Sequence, residues 1–322
     1  MIMSNYILSI LIPLYNSSTD IQPLLKSLIK MRKKNVEIVF IDDGSTDDSL
    51  SNVTGFLNKN GIVNIKALRQ DNAGISIVRN RLIDQASGDF IWFIDPDDFV
   101  SVQSLNEVLN LIEINIENNE FDLIQLPFKK FSELNDVSEE RLSLKNVTGA
   151  ELVTLLFERK LENYVWAYIV RKEIFSTNDI SFPNRRFFAE DMNVTYRVYK
   201  HVNKAILINT GVTYWYRQYS SESGDSLTTT IDNQSIVDRL ENVEAILSDP
   251  SLMMYRKEKY LYVILMYVLV DSLSIIDRKR RREMQHATEH LIRQIRDNVP
   301  IGIRLKYSFF YLAKKIGGKY VN

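Results

Sequence analysis

Apolar runs and helix-like segments alternate over the first hundred residues of the chain. Four short runs rich in β-branched and aromatic residues predict strands, at residues 7–14, 36–41, 62–68 and 90–94. In the segments between them apolar residues recur at helical spacing, as Ile75, Val78 and Leu82 do in the third segment. This alternation predicts βαβ units and a mostly parallel sheet, whose strands are nearly apolar throughout because helices cover both faces.

Polar segments follow all four predicted strands. They read PLYNSS after the first strand, DDGSTDDS after the second, RQDNAG after the third and DPDD after the fourth. Ligands of such sheets bind beyond the carboxyl ends of the strands, so we expect these segments to meet at one site. All four are rich in carboxylates, amides or hydroxyls, which indicates a polar, charged ligand.

Asp95 and Asp97 stand two residues apart at the end of the fourth predicted strand. If the chain stays extended, both side chains point to the same side. Two such carboxylates suit a hard divalent cation, Mn²⁺ or Mg²⁺, which completes its shell with water and substrate phosphates. The alternative is a turn at Pro96 followed by Asp97 and Asp98 as caps of a helix starting near Ser101. Even beside a metal site, Asp98 is expected to serve helix entry.

The second and third strand ends offer further candidates. Asp42 and Asp43 precede Gly44; a carboxylate there can accept from a uracil N3–H or a ribose hydroxyl, and the glycine lets a ligand approach the backbone. The alternative is a turn that leads into a capped helix. Arg79 lies in the third predicted helix, with Asn72 as its predicted N-cap. A helix N-terminus combined with a guanidinium suits a diphosphate, and the alternative is a surface arginine.

Composition narrows the class of protein. The 322 residues carry a net charge of −1, so no overall field attracts nucleic acid and we expect no nucleic-acid partner. The absence of cysteine excludes disulfides, thiolate metal sites and cysteine nucleophiles. The first residues lack the features of a signal peptide, which predicts a cytoplasmic protein. The apolar segment 260–276 is short for a membrane span and contains Asp271, which favours a buried core helix.

These motifs resemble those of family 2 glycosyltransferases. SILIPLYN, IVFIDDGSTDDS and NAGISIVRNRLIDQASGDFIWFIDPDD stand in that family's order and approximate spacing, from Ile7 to about Val100, and the likeness extends through Tyr219. The resemblance implies the GT-A fold, a Rossmann-like α/β architecture with a mostly parallel sheet and flanking helices. Its nucleotide-sugar-binding half would be residues 1–100 and its acceptor-side half 101–230, followed by a helical C-terminal region at 231–322.

The same resemblance assigns site residues. Asp97 would be the direct metal ligand of an Asp-Pro-Asp (DxD) element that holds Mn²⁺ or Mg²⁺, with Asp95 as a second ligand nearer the ribose or sugar. Pro13, Tyr15 and Asp43 would line the base and ribose pocket. The whole set of nucleotide-sugar-binding residues is Pro13, Tyr15, Asp42, Asp43, Asn72, Arg79, Asp95 and Arg217. Arg217 and the polar loop 219–230 would close over the diphosphate.

Downstream, FFAEDMNVTYR resembles the family's Glu-Asp element. Carried over, Asp191 is the general base that takes the proton of the acceptor hydroxyl, and Glu190 is its neighbour. The alternative is an acidic pair that merely favours a helix N-terminus. Processive members carry a Gln-x-x-Arg-Trp element, which this sequence lacks, so the resemblance implies a non-processive enzyme that adds one sugar.

The implied reaction is metal-dependent, inverting transfer of one sugar, of hexosyltransferase type, from a nucleoside-diphosphate sugar. The family favours a UDP-sugar donor, with a glycan or lipid-linked glycan acceptor in bacterial surface-polysaccharide synthesis. One alternative is a catalytically inactive homologue that acts as a membrane-surface assembly partner. Another is a sugar-nucleotide nucleotidyltransferase, but such enzymes carry a glycine-rich loop where this chain has PLYNSS.

The C-terminal segment 303–321 mixes aromatic and basic residues, IRLKYSFFYLAKKIGGKYV. Aromatic residues beside lysines suit a bilayer interface, which predicts a peripheral protein on the cytoplasmic face of the membrane. The alternative is a terminal helix docked on the domain itself or on a second subunit, which keeps a homodimer open.

Overall fold

The structure is a computed structural model that describes residues 6–31, 35–131, 142–185, 187–211, 213–217, 233–275 and 277–317. Its strands are β1 (Leu8–Leu14), β2 (Val36–Asp42), β3 (Ile65–Arg69), β4 (Phe90–Phe93), β5 (Phe99–Val100), β6 (Leu123–Gln125), β7 (Phe128–Phe131), β8 (Ser143–Thr148), β9 (Tyr168–Arg171), β10 (Lys204–Thr210) and β11 (Tyr214–Arg217). Its helices are α1 (Gln22–Leu28), α2 (Ser49–Lys59), α3 (Ile75–Gln85), α4 (Val102–Asn118), α5 (Gly149–Phe157), α6 (Glu173–Thr177), α7 (Glu190–His201), α8 (Asn233–Ser248), α9 (Glu258–Ser272), α10 (Arg278–Ile295) and α11 (Ile301–Gly317).

The strands form two sheets. The larger has the order β3-β2-β1-β4-β9-β6-β10-β8, and the smaller has the order β5-β11-β7. β3, β2, β1 and β4 pair in parallel, as do β6 and β10, whereas β9 is antiparallel to both of its neighbours and β8 is antiparallel to β10. The predicted α/β class with a mostly parallel sheet is confirmed, and the four predicted N-terminal strands are the parallel half.

Burial of the parallel strands explains their apolar sequences. Every residue of β1 and β2 is buried, as expected when helices cover both faces of a parallel sheet. Leu8, Ile10 and Ile12 alternate along β1 and pack into one core cluster with apolar residues of α1, α2 and α4. Because side chains of a strand alternate between faces, the intervening residues of β1 point to the opposite face.

The chain divides into two compact units. The first comprises Met1–Glu151, Asn163–Arg186 and Val194–Gly224, and contains all the strands named above. The second comprises Leu152–Glu162, Phe187–Asn193 and Asp225–Asn322. The predicted division of the N-terminal region at residue 100 remains a prediction.

Helices α8 to α11 make up most of the second unit's described residues, so the predicted helical C-terminal region is confirmed. The apolar segment that contains Asp271 is helix α9, whose residues Leu261, Leu265 and Val268 are fully buried. It is therefore a core helix, as predicted. Within the described ranges, no helix is long and apolar enough to cross a membrane.

Candidate functional site at the carboxyl ends of the parallel strands

The loops after β1 and β2 are tied to each other by side-chain hydrogen bonds. Asn16, in the left-handed region at φ 48°, accepts from the Thr46 N–H at 2.8 Å, and its own N–H donates to Ser45 Oγ at 3.0 Å. Asp47 accepts from the Ser18 and Ser49 N–H groups, each at 3.0 Å. Burial would raise the pKa of Asp47, but the hydrogen bonds from Ser49 and Ser18 outweigh it and lower that pKa to about 2. The first two predicted polar segments therefore meet.

Asp43 joins the second loop to the third. Its Oδ1 accepts from Gln70 Nε2 and from the Ala73 N–H, both at 2.8 Å, and its Oδ2 accepts from the Gly74 N–H at 2.8 Å. The carboxylate is buried. A carboxylate offers about four acceptor positions, so Oδ2 retains one for a ligand. Asp43 thus shapes the turn before α3 as well as standing at the predicted nucleotide site.

Two sequence expectations about this turn were wrong. Helix α3 begins at Ile75 with Gly74 as its N-cap, at φ 96°, so Asn72 is not the cap. Asn72 is instead exposed in the loop two residues earlier. Gly44 was expected to leave room for a ligand, but a Cβ placed there would lie 2.9 Å from the Asn72 backbone N. Gly44, at φ 75°, therefore allows the backbone of the loop at Asn72 to pack closely against it.

Asp42, at the end of β2, is buried and serves its own loop. Its Oδ1 accepts from the Ser45 N–H at 3.0 Å, and its Oδ2 lies 3.5 Å from Arg69 Nη1. The β1 residue Pro13 is also buried, whereas Tyr15 just beyond that strand has 51% of its surface exposed. Of these predicted nucleotide-site residues, Tyr15 is the one that presents a large side chain to solvent.

Arg79 of α3 is buried, with only 4% of its side chain exposed, so the surface interpretation was wrong. Its guanidinium lies 5.9 Å from the Phe93 ring centre and 5.5 Å from that of Phe182. Its Nη2 is 3.5 Å from Asp95 Oδ1, which is 27% exposed. Buried arginines need a negative partner, and here that partner is the first carboxylate of the DPDD segment.

Asp98 does not start a helix. Ser101 caps α4 by accepting from the Ser104 N–H at 3.3 Å, so both the predicted capping role of Asp98 and the proposed Asp97–Asp98 cap were wrong. Asp98 is fully buried and accepts from the Tyr214 hydroxyl at 2.6 Å and from the Arg217 N–H at 2.7 Å. It therefore joins the DPDD segment to β11.

Tyr214 completes this connection, because its hydroxyl oxygen accepts from the Asp95 N–H at 3.1 Å. Burial raises the pKa of Asp98 well above its ordinary value, and the charges of Asp95 and Asp97 raise it further, against the hydrogen bonds from Tyr214 and Arg217. Burial also raises the pKa of Tyr214, followed by the charges of Asp98 and Asp95, so the phenol stays protonated as a donor. Asp95 is thus held from both its backbone and its side chain.

Asp97 differs from its neighbours. It is half-buried, and within the described ranges it has no hydrogen-bond or ion-pair partner. Those ranges contain no group of three or more Asp, Glu, His or Cys side chains placed to hold a metal. Mg²⁺ sites commonly use only one or two protein carboxylates, the remaining ligands being water and substrate phosphates. Asp97 with Asp95 fits that donor set, although Asp95 is shared with Arg79.

Arg217, at the end of β11, forms an ion pair with Asp20, Nη1 to Oδ1 at 2.7 Å. Its guanidinium also lies 5.9 Å from the Phe131 ring centre. The loop 219–230, predicted to close with it over a diphosphate, lies outside the described residues. The role of Arg217 at a diphosphate remains a prediction.

An aromatic group beside these carboxylates was missed by the sequence reasoning. Trp166 stacks on Tyr214 with ring centres 4.3 Å apart and on Tyr164 at 4.7 Å. Tyr216 stacks on Trp166 at 5.3 Å, and burial, then Tyr164 and the nearby aspartate charges, raise its pKa to about 12. The clusters ENYVWAY and YWYR were visible signals, but nothing local indicated that they pair.

The predicted acceptor-side pair lies in the second unit. Glu190 and Asp191 form the first turn of α7 and are both half-buried. The residue before them, Ala189, adopts a left-handed conformation at φ 59°. The N-terminal end of a helix favours a carboxylate through its dipole.

A mostly parallel sheet with interlocked, carboxylate-rich loops at its strand ends, joined to a helical C-terminal region, defines a GT-A-type α/β protein. Residues 9–152 match the family model described as Glycosyl transferase family 2. This match covers less than half of the chain, and it confirms the resemblance to the family predicted from the motifs.

Relatives of known name agree with this assignment. The chain is 28% identical over 217 residues to the uncharacterised glycosyltransferase EpsJ of Bacillus subtilis, covering 66% of this chain and 61% of EpsJ. It is 28% identical over 243 residues to the poly(ribitol-phosphate) β-N-acetylglucosaminyltransferase TarS of Staphylococcus aureus, covering 75% of this chain and 41% of TarS. The chain thus spans less than two thirds of either relative.

Two solved structures share the fold. The crystal structure of TarS 1–349 in complex with UDP-GlcNAc has a TM-score of 0.68 at 22% identity, over 92% of this chain and 82% of that chain. The mannosyltransferase PcManGT of Pyrobaculum calidifontis, in complex with GDP-Man and Mn²⁺, has a TM-score of 0.57 at 11% identity, over 96% of this chain and 86% of that chain.

Proposed function

We propose that this protein is a metal-dependent, inverting glycosyltransferase that moves one sugar from a UDP-sugar to a hydroxyl group. The acceptor is a glycan or lipid-linked glycan of a bacterial cell-surface polymer. The observation that carries the proposal is the arrangement of the DPDD segment: Asp95 is fixed by Arg79 and Tyr214, and Asp97 beside it is without a protein partner among the described residues. TarS, by name a poly(ribitol-phosphate) β-N-acetylglucosaminyltransferase, supports sugar transfer to a polymer.

The donor site follows from the strand ends. Tyr15 offers an exposed ring two residues after buried Pro13, and such a ring suits stacking on a base. The remaining acceptor position of Asp43 suits a uracil N3–H or a ribose hydroxyl. Asn72 on the adjoining loop completes the nucleotide side, and Asp42 holds that side's backbone through Ser45.

Asp97, with Asp95 beside it, would hold Mn²⁺ or Mg²⁺. When bound, the cation supplies positive charge that offsets the charge developing on the leaving diphosphate. Arg79 and Arg217 are two cations of the protein on this side of the reaction. Arg79 orients Asp95, and Arg217 is available to the diphosphate if it leaves Asp20. PcManGT, whose complex contains GDP-Man and Mn²⁺, is a distant relative in fold.

Asp191 is proposed as the general base and Glu190 as its neighbour. The acceptor hydroxyl oxygen forms a bond to the anomeric carbon while its proton passes to the Asp191 carboxylate. At the same time the bond from the anomeric carbon to the diphosphate oxygen breaks on the opposite face, so the configuration inverts. The missing Gln-x-x-Arg-Trp element supports a single transfer per acceptor.

A panel of nucleotide sugars tests the donor class. We expect a UDP-sugar to raise the melting temperature in the presence of Mn²⁺, because a ligand that binds only the folded state stabilises it. The same panel is followed for slow release of UDP with water as acceptor. Stabilisation with no release of UDP under any condition would favour the second candidate, a catalytically inactive assembly partner.

Two substitutions test the roles. Asp97→Asn is expected to abolish transfer and to remove the Mn²⁺ dependence of donor binding, because the carboxylate charge is lost. Asp191→Asn is expected to abolish transfer while metal-dependent donor binding persists. Full activity of Asp191→Asn would refute the assignment of the base, and unchanged Mn²⁺ dependence in Asp97→Asn would refute that of the metal ligand.

We also propose that α11 binds an anionic membrane surface. Four large apolar side chains at positions i, i+4, i+8 and i+11 lie exposed on one side of this helix, Phe309 by 76%: Ile301, Leu305, Phe309 and Leu312. Tyr307 and Phe310 instead pack edge-on against Tyr267 of α9, with ring centres 6.1 and 5.8 Å apart. The helix has four basic residues and no acidic one, which suits anionic headgroups.

Flotation with phosphatidylglycerol-containing vesicles tests this surface. We expect the full chain to float, and Leu305→Asp with Phe309→Asp to abolish flotation. Val63→Asp, which changes an exposed apolar residue of the first unit, is the matched control and should float as the wild type does. A dimer in solution that dissociates on the α11 substitutions, with no flotation of the wild type, would assign the stripe to a second subunit instead.

A further inference from the structure

The turn before α7 contains a backbone conformation that its residue does not favour. Ala189 has φ 59° and directly precedes Glu190. Asparagine and aspartate tolerate this region because their side chains can bond locally, but alanine has no such compensation. A strained residue of this kind persists only when its surroundings determine its conformation, and such residues cluster at functional sites.

Two side chains of α8 hold the backbone on either side of Ala189. Asp238 Oδ2 accepts from the Phe188 N–H at 2.7 Å, and Asn242 Nδ2 donates to the Ala189 C=O at 3.0 Å. Asp238 and Asn242 stand four residues apart and therefore lie on the same face of α8. Both are 1% exposed. The Asn242 bond thus fixes the peptide group that follows Ala189, and the Asp238 bond fixes the peptide group that precedes Phe188.

A second set of contacts secures this arrangement. Asn193 Nδ2 of α7 donates to Asn242 Oδ1 at 3.1 Å, which orients the Asn242 amide. Gln234 Nε2 donates to Asp238 Oδ1 at 2.9 Å, so both carboxylate oxygens of Asp238 are used. Asp238 is therefore a buried carboxylate that accepts from one backbone N–H and from one side-chain amide of its own helix. Neither the Asp238 nor the Asn242 side chain is required to form α7 or α8.

We propose that Asp238 and Asn242 are positioning residues for the Glu190-Asp191 pair. They hold the left-handed turn at Ala189, and that turn sets the direction in which the first residues of α7 leave it. The inference rests on the proposed function, in which Asp191 is the general base. A general base must lie within hydrogen-bond reach of the proton that it takes, and a misplacement of about 1 Å in such a group can cost about 100-fold in rate.

Kinetics of UDP release test the proposal, with the UDP-sugar that turns over fastest as donor and UDP-GlcNAc tried first. Asp238→Leu is expected to lower kcat about 10- to 100-fold with little change in the donor KM, because the donor is not bound by α8. Asp238→Asn keeps an oxygen acceptor for the Phe188 N–H and should recover most of kcat. In the Asp238→Leu background, Ala189→Gly should recover part of kcat, since glycine adopts positive φ without strain.

Asn115→Ala is the matched control for lost stability. Asn115 is a buried amide of the first unit that holds a turn beside another left-handed residue, Asn119 at φ 53°, by accepting from the Phe121 N–H at 2.7 Å. The Asn115→Ala substitution should lower the melting temperature while kcat stays at the wild-type value. If Asp238→Leu does not fold, Asn242→Ala replaces it in the same comparison.

The outcomes separate this inference from the function on which it rests. If Asp191→Asn is inactive but Asp238→Leu and Asn242→Ala keep the wild-type kcat, the positioning role is overturned and the base assignment stands. An equal fall of kcat in Asn115→Ala also overturns it. If Asp191→Asn is fully active, or the wild type releases UDP from no donor, the proposed function fails and the inference fails with it.

Discussion

Removal of one hydroxyl group, by Tyr214→Phe, tests how the DPDD segment is held. The hydroxyl donates to buried Asp98 at 2.6 Å and accepts from the Asp95 N–H at 3.1 Å. A hydrogen bond to a charged group contributes about 1.5–3 kcal/mol, and a neutral one about 1 kcal/mol. Since the phenylalanine also avoids burying a hydroxyl, we expect a net loss of about 2–3 kcal/mol in the free energy of unfolding at a pH where Asp98 is ionised. For a unit of this size that corresponds to a fall in melting temperature of about 5–10 °C.

The loss depends on pH, with a definite sign. The pKa of Asp98 is raised in the folded protein by burial, then by Asp95 and Asp97, above the ordinary 3.8. A raised carboxyl pKa gives stability that is fully present below pH 3.8 and is lost as pH rises through the folded-state pKa. Tyr214→Phe removes a hydrogen bond that opposed the shift, so the pKa rises further. The destabilisation is therefore expected to be larger above the folded-state pKa of Asp98 than below it.

Urea unfolding at several pH values measures this loss, and calorimetry with UDP and Mn²⁺ measures the site. Tyr199→Phe is the matched control, because Tyr199 is an equally buried tyrosine whose hydroxyl donates to Gln125. Both variants should lose stability, but only Tyr214→Phe should weaken metal-dependent UDP binding. A loss below about 0.5 kcal/mol, or one that does not change with pH, would refute the role assigned to this hydroxyl.

Two further changes examine the loops around the site. Gly44→Ala should cost about 2–4 kcal/mol, because a Cβ at φ 75° would also lie 2.9 Å from the Asn72 backbone N, whereas Gly61→Ala, at the same φ with nothing within 4 Å, should cost only about 1 kcal/mol in denaturant unfolding. Equal losses would mean that the loop contact does not matter. Asp47 has its pKa lowered to about 2, so its stabilisation is present above pH 3.8 and is lost as pH falls towards 2. Asp47→Asn should make the free energy of unfolding depend less on pH in that window. An unchanged pH dependence would contradict the role assigned to Asp47.

The local pattern of the sequence was sufficient to predict the parallel half of the sheet and the position of the site. β1, β2 and β4 are buried at every position and are mostly apolar because both of their faces are covered, and that pattern is visible without a structure. The carboxyl ends of parallel strands lie at one edge, so the convergence of the polar segments followed from the strand prediction alone.

Helix starts were predicted less well. Asn72 and Asp98 are good capping residues by type, but Gly74 and Ser101 occupy the cap positions. The reason lies in tertiary contacts. The Asp43 carboxylate fixes the turn at Ala73 and Gly74, and Asp98 is hydrogen-bonded to β11. Each competing interaction joins residues distant in the chain, and capping preferences describe only neighbours.

The sequence by itself determined the class of fold, the edge of the sheet where the candidate site lies and the set of carboxylates gathered there. Only the tertiary structure decided which of those carboxylates form hydrogen bonds within the protein and which one does not. Asp43 holds a loop, Asp98 holds a strand through Tyr214, and Asp97 keeps no partner among the described residues. The role of a carboxylate depends on the hydrogen-bond donors that contact it. These donors can be distant in the chain, as the Arg217 N–H is from Asp98, 119 residues away. The periodic pattern of apolar and polar residues along the chain does not predict which distant residues form these hydrogen bonds.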